Sequence, residues 1–264
     1  VVPYCPRCGT TLSDHEVALG YEEATDPSVF VRMPLADKPG TSLLVWTTTP
    51  WTLPGNVAVA AHPDVEYVTV ERAMNGKKEK LILAKALLEK VFRGEEVKVV
   101  DTFKGKKLKG QKYHPLFTFL PPDKPAHYVV LGDFVTTEDG TGLVHMAPAF
   151  GAEDMQAALE FDLPVLMTVL PDGTFIPEVT PWRGVFVKDA DPLIVRDLDD
   201  RGLLFHAEKY THTYPFCWRC KTPLLYYARD AWYIRTSRFK DRMVELNQTI
   251  HWTPDHIKDG RFGN

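Results

Sequence analysis

The chain has 264 residues, a formal net charge of −4, and 44% hydrophobic and 25% charged residues. That profile fits a globular chain of one large domain or two small ones. It excludes a disordered or collagen-like chain, a transmembrane helix for lack of a long apolar run, and a free-standing nucleic-acid binder that relies on its own basic excess.

In chain order, the first residues Val1-Val2-Pro3-Tyr4 contain no initiator Met and no signal-peptide pattern, as in an excised fragment. All four cysteines then fall into two knuckles, Cys5-Pro6-Arg7-Cys8 and Cys217-Trp218-Arg219-Cys220. Two CxxC pairs supply four thiolates, the full tetrahedral set for one structural Zn²⁺ with no position left for water. Two disulfides are the alternative, but nothing points to secretion. A zinc at this spacing would staple the two ends of the chain, making everything between them an insertion on a clamped neck.

Residues 13–35 read as strands, followed by a turn at Lys38-Pro39-Gly40. The strand Leu43-Leu44-Val45 leads into Trp46-Thr47-Thr48-Thr49-Pro50-Trp51-Thr52-Leu53-Pro54-Gly55-Asn56. Its two prolines remove donors and fix φ, so the chain must leave the ladder as a rigid loop presenting Thr hydroxyls and freed N–H groups. A Thr-rich edge strand ending in a proline turn is the plainer reading. Strands are expected at 56–60, 66–70 and 80–83, with a hairpin turn at Asn75-Gly76 and helical spacing from Ala84 to Phe92. A strand at 97–103 precedes the basic turn Lys106-Lys107-Leu108-Lys109, which reads as a solvated loop or as a contact to an acidic partner.

A strand at 127–135 turns through Thr136–Gly142 into Leu143-Val144-His145-Met146-Ala147-Pro148. Ala152–Phe161 is a short helix with Glu153 and Asp154 in its first turn, where the dipole favours them. Asp191–Arg201 is an amphipathic helix starting at Pro192. Strands at 224–227 and 231–234, a helix at 239–246 and a tail from Thr253 that connects to a missing domain complete the chain. Short strands outnumber helices, so the expected fold is mainly β with helices (α+β), a closed β-barrel-like domain on a zinc-clamped ribbon base. The expected divisions are 1–12 with 208–235 for the ribbon neck, 13–207 for the barrel core, and 236–264 for a C-terminal connection.

Three segments could carry chemistry: the Thr loop, Gly140–Pro148 and Phe150–Asp154. His145, on an otherwise apolar strand, is either a satisfied core histidine or a site residue. Asp154 is either a dipole carboxylate or an ion-pair partner for an ammonium group. No nucleophile elbow, P-loop, dinucleotide fingerprint or HExxH is present, so hydrolysis would rest on orienting a water.

Trp46–Asn56, Gly140–Pro148 and the two knuckles resemble the inserted editing domain, connective polypeptide 1, of the isoleucyl-tRNA synthetases. The resemblance covers essentially the whole chain. Thr49 stands where the valyl and leucyl relatives have Arg, and the HIGH and KMSKS signatures are missing. The resemblance implies hydrolysis of the ester of Val-tRNA(Ile), and of valyl-adenylate, with isoleucine too large to enter; a missing methylene gives the synthetic site little discrimination, the isoleucine/valine pair being the standard instance of that argument. It implies tRNA(Ile) and valine as partners, together with a catalytic Rossmann domain in the same full-length chain, and a cytoplasmic setting without a membrane. By resemblance, Asp154 binds the substrate α-ammonium, His145 selects for size, and Thr47, Thr48, Thr49 and Thr52 hold the terminal adenosine and orient water. Trp46, Gly142 and Pro148 line the same pocket. Rival readings are a non-catalytic tRNA-binding or structural insertion, and a valyl-type domain that hydrolyses Thr-tRNA.

Overall fold

The computed structural model describes residues 1–74 and 77–263, so the Asn75-Gly76 turn lies outside the described residues. The elements, in order, are β1 (Val2–Cys5), β2 (Thr10–Thr11), α1 (Asp14–Ala18), β3 (Tyr21–Pro34), β4 (Thr41–Thr47), a 3-10 helix at Pro50–Gly55, β5 (Ala58–Ala61), β6 (Glu66–Met74), β7 (Lys77–Ala84), α2 (Leu88–Phe92), β8 (Lys98–Lys104), β9 (Tyr128–Leu131), β10 (Leu143–Met146), α3 (Ala152–Phe161), α4 (Val187–Asp200), β11 (Leu204–Pro215), β12 (Leu225–Tyr227) and α5 (Lys240–Asn247). Residues Val1–Ala228 form one compact unit and Arg229–Asn264 a second.

Nine strands of the first unit, among the described residues, make one mixed sheet. Its main path is β8-β6-β7-β4-β10-β5-β9, with β3 joining at β4 and β11 pairing β3. The sheet curls as a half-barrel, which is how the expected barrel is realised. The inner faces of β3, β4, β6 and β7 bury Val31, Met33, Leu43, Val45, Val68, Leu81 and Leu83. The alternation along β11, half-buried and exposed by turns, is the period-2 signature of a half-covered strand.

β3 and β11 pair along almost their whole length, from Leu204↔Val31 to Pro215↔Tyr21. This ribbon runs from the core to the neck, since Cys217 follows two residues after Pro215. There β1 pairs β2 and β12 in a small separate sheet. The segment 13–35 is corrected in part: Ser13 and Glu16 form a capping box, so Asp14–Ala18 is helical, and one long strand follows.

α4 begins at Val187, four residues before Asp191, so Pro192 lies within the helix and not at its start. In the second unit the strand expected at 231–234 is not formed; Trp232, Tyr233 and Ile234 are irregular and exposed. A run that short gains little without a partner strand. Asn247 is buried there, donating to the carbonyl of Lys258 and accepting from Nε1 of Trp252 at 2.7 Å.

Candidate functional site

β4 and β10 run parallel with Val144 opposite Trp46, and β5 runs antiparallel on the other edge of β10, with His145 opposite Val59. Residues about a hundred positions apart are thus carried on adjacent strands, roughly 4.8 Å apart. After β4 the chain does not form an open loop. Pro50 has the fixed φ and the missing donor that suit a first helical turn, and Pro50–Gly55 is a 3-10 helix with Thr49 at its N-cap. Its amides are already engaged. Thr49 N–H bonds to Oγ1 of Thr47 at 3.2 Å, Trp51 N–H to Oδ1 of Asp191 at 2.8 Å, and Thr52 N–H to the carbonyl of Thr49 at 3.0 Å. This corrects the expectation of freed N–H groups at Thr49, Trp51 and Thr52, where the segment offers hydroxyls and a ring instead. Trp51 is also a core residue, 2% exposed and edge-on to Phe150 at 5.1 Å between ring centres.

His145 is buried, and burial lowers its pKa to about 3, so the ring is neutral. Its tautomer follows from its neighbours. The amide nitrogen of Asn56 faces the carbonyl of Ala58 at 2.9 Å, which can only accept, so that end of the amide is the donor. The same nitrogen donates to Nδ1 of His145 at 2.8 Å, while Oδ1 of Asn56 accepts from the hydroxyl of Tyr113 at 2.7 Å. Nδ1 therefore carries no proton, and Nε2–H donates to Oγ1 of Thr52 at 3.0 Å.

The hydroxyl directions then follow in sequence. Thr52 donates to the carbonyl of Thr49 at 2.8 Å. Its single proton is used, so in the 3.2 Å contact between Thr49 and Thr52 the donor is Thr49. By the same reasoning Thr47 donates to Thr49 at 3.2 Å. The hydroxyl protons of Thr47 and Thr49 both point toward Thr52, so these two residues can make further hydrogen bonds only as acceptors.

Trp46, Thr47 and Thr48 on one side, and Gly140, Gly142, Val144 and His145 on the other, enclose a cleft of about 260 Å³. Gly140 and Gly142 have φ of +73° and +72°. A side chain at Gly140 would meet the Trp46 ring at 2.8 Å, and one at Gly142 would meet Cβ of Ala84 at 2.4 Å. Both glycines are thus required by the close approach of the chain. Thr52 stands behind the cleft, reached through His145, and Pro148 is buried in the turn after β10. Oδ2 of Asp154 accepts the Ala147 N–H at 2.8 Å, fixing its carboxylate to the turn two residues beyond His145. Burial pushes this carboxyl up to about 6, with Glu153 adding to the shift and the Ala147 bond opposing it. Its second oxygen has no hydrogen-bond partner among the described residues.

Asn56, Tyr113 and Asp191, and Thr136 and Asp139, which also line the cleft, were missed by sequence reasoning. An Asn directly after Pro54-Gly55 and before an apolar strand was a usable signal for Asn56; Tyr113 and Asp191 carried none, because their roles depend on partners 57 and 140 positions away.

At the neck, the sulfurs of Cys5, Cys8, Cys217 and Cys220 lie within 4.8 Å of one another, and all four cysteines are free thiols. Cys5 and Cys220 are 3.5 Å apart, far beyond an S–S bond and close to the roughly 3.8 Å edge of a tetrahedron with about 2.3 Å metal–sulfur bonds. The Cys8 N–H points at the sulfur of Cys5, 3.3 Å away, as in a metal knuckle. The set fits one metal ion.

The whole chain, residues 1–264, matches the model of the family described as tRNA synthetases class I (I, L, M and V). It is 53% identical over 263 residues to the isoleucine–tRNA ligase of Clostridium acetobutylicum, covering 100% of this chain and 25% of that protein. It is 52% identical over 268 residues to the isoleucine–tRNA ligase of Thermus thermophilus, with the same coverage. The chain spans a quarter of the length of these relatives. Among solved structures it is similar to the editing domain of the P. knowlesi cytosolic leucyl-tRNA synthetase, with a TM-score of 0.54, 11% identity, and coverage of 74% of this chain and 99% of that one. It is also similar to the crystal structure of GlLeuRS-CP1, with a TM-score of 0.55, 13% identity, and coverage of 69% and 99%. Similarity over the full chain and a fold shared with editing domains agree: the chain belongs to the class I tRNA synthetases of the I, L, M and V group.

Proposed function

We propose that this chain hydrolyses the ester of Val-tRNA(Ile), and valyl-adenylate, and spares the isoleucyl ester by size. The observation that carries the reading is the hydrogen-bond chain that converges on Thr52, from Asn56 through His145 on one side and from Thr47 through Thr49 on the other, and leaves Thr47 as an acceptor at a small cleft. A water bound there donates a hydrogen bond to a Thr oxygen and turns a lone pair to the ester carbonyl; as it adds and the acyl–oxygen bond breaks, its proton passes to the departing ribose oxygen. The Thr hydroxyls thus orient the nucleophile rather than become one. Neutral His145 holds Thr52 and closes one wall at the side-chain end. Asp154, anchored by Ala147, offers its free oxygen to the α-ammonium, a charge-assisted bond that rejects a blocked amine. Trp46 and Thr48 face the adenosine.

The four thiolates hold one structural Zn²⁺, which closes the ribbon neck; the metal supplies a clamp and no chemistry. In the longer protein the neck and residues 236–264 lead toward a nucleotide-binding catalytic domain, and the setting is cytoplasmic; among the described residues no helix is long and apolar enough to cross a membrane. The deciding experiment measures release of amino acid from Val-tRNA(Ile) and Ile-tRNA(Ile) by the zinc-loaded chain. Rapid release from the first and slow release from the second is expected. Tight tRNA binding without release would favour a non-catalytic insertion, and preferential release of Thr from Thr-tRNA would favour the valyl type.

A further inference from the structure

The segment Lys104–Lys112 plays no part in the cleft, and the fold does not treat it as a loose solvated turn. Gly105 N–H bonds to the carbonyl of Val65 at 2.9 Å, Lys106 N–H to Pro63 at 3.0 Å, and Gly110 N–H to Val129 at 2.8 Å. Leu108 is buried between these anchors, and a side chain at Gly105 would strike the carbonyl oxygen of His62 at 2.0 Å. The backbone is therefore fixed while the lysines between the anchors are held outward.

These lysines border two adjoining open grooves, of about 530 and 440 Å³, that share Lys107 and Gln111. Lys38, Lys80, Lys107, Lys109 and Lys112 line them, against the carboxylates of Asp37 and Asp101. Asp37 is engaged by Gln111 and Asp101 by the Thr102 N–H. Lys38 donates only to the Gln111 amide at 3.2 Å, and Lys107 lies 5.9 Å from the Phe103 ring centre. Lys80 feels the Glu71 carboxylate across the strand pair. None of the five makes an ion pair with a carboxylate among the described residues. In a chain of net charge −4, this is a local excess of cations with fixed backbones.

We propose that this lysine-lined face is a docking surface for the phosphate backbone of the RNA whose esterified end occupies the cleft. The proposal rests on the function proposed above. Five ammonium groups without carboxylate partners on one face complement a polyanion, so the occupant is a phosphate backbone rather than a protein partner. The geometry sets the register. Thr41 borders the groove and Thr47 the cleft, at opposite ends of β4. Six residues of strand separate them, on the order of 20 Å, about six nucleotides of stacked strand at roughly 3.4 Å each. The lysines would therefore grip phosphates well inside the acceptor region and would not reach the terminal nucleotides.

The test compares the zinc-loaded chain with the variants Lys107→Glu/Lys109→Glu/Lys112→Glu and Lys107→Gln/Lys109→Gln/Lys112→Gln. Substrates are a valyl ester of adenosine, a valylated four-nucleotide RNA, and a valylated hairpin of the acceptor region. The charge-reversed variant is expected to weaken hairpin binding roughly tenfold or more, and the Gln variant to lower the slope of log affinity against log salt by about 2. Hydrolysis of the two short esters should match the unsubstituted chain. Unchanged hairpin affinity and slope would overturn the proposal, as would an equal loss on the four-nucleotide ester. Loss of binding to another protein with RNA binding intact would also overturn it. If the unsubstituted chain cleaves no ester, the function proposed above fails, while hairpin affinity and its salt slope still decide the groove.

Discussion

Oδ1 of Asp191, on α4, accepts a 2.8 Å hydrogen bond from the Trp51 N–H, the first available amide of the 3-10 helix that carries Thr52. Asp191 is 1% exposed and its second oxygen has no hydrogen-bond partner among the described residues. Burial raises its carboxyl to about 7, with Asp26 adding to the shift while Lys188 and the Trp51 amide oppose it. An unfolded Asp titrates near 4, so the folded chain holds the extra proton between about pH 4 and 7 and loses stability as pH rises through that window. Asp191→Asn keeps an oxygen for Trp51 and removes the charge. Its stability relative to the unsubstituted chain should improve from pH 5 to pH 8, read by urea midpoints; a constant difference would disprove the linkage. Asp191→Leu leaves the amide unpaired and should cost about 1–3 kcal/mol at pH 5, where the buried carboxyl is protonated, and less at pH 8.

Asn56→Ala removes the group that sets the His145 tautomer and leaves the Tyr113 hydroxyl and Nδ1 of His145 without their partner. A loss of about 1–3 kcal/mol in stability is expected. Ester hydrolysis should fall further than the unfolded fraction explains, by roughly the 10- to 100-fold seen when an outer residue that orients a ligand is lost. Deacylation rates on folded variant at low temperature measure this directly.

Ionised Asp154 is the form that binds an ammonium group. Its folded pKa of about 6 lies above the usual carboxylate value, so the charge is present above that pH and lost as pH falls through it. The KM for a valyl ester should rise below about pH 6, and Asp154→Asn should show a high, flat KM across the same range. A variant with normal KM would remove Asp154 from the ammonium site.

Metal analysis should find one zinc per chain, and Cys217→Ser should lose it. Because the ligands come from both ends of the first unit, chelation should lower the melting temperature and expose the neck to protease. An unchanged melting temperature after complete metal removal would show that the neck holds without the ion.

Gly142→Ala introduces a Cβ at φ +72° and 2.4 Å from Ala84. The left-handed backbone alone costs roughly 1–2 kcal/mol, and the clash adds to it. Thermal denaturation should show the loss, accompanied by slower hydrolysis because the displaced chain forms a cleft wall.

Much of the fold was legible because its signals are local. The short apolar and β-branched runs of β4, β6 and β7 marked strands, the acidic first turn marked α3, and the paired knuckles marked a four-sulfur cluster. The failures were equally specific. Trp232–Ile234 has strand composition but forms no strand among the described residues, and α4 starts before Pro192 because Val187 and Ala190 bury against the core. The Thr segment looked like an open loop because nothing local shows that Asp191 and the carbonyl of Thr49 take its amides.

By itself the sequence determined the chemistry available: Thr hydroxyls closed off by prolines, one histidine on an apolar strand, one carboxylate at a helix start, and four thiolates in pairs. Only the tertiary structure decided their relationships. Placing β10 beside β4 brings His145 to Thr52, and burial there makes the imidazole neutral. Asn56 then fixes its tautomer, and the tautomer fixes the direction of every hydroxyl as far as Thr47. Proton direction depends on which groups face one another in a desolvated space, and contacts across about a hundred residues are set by strand order, which no local pattern records.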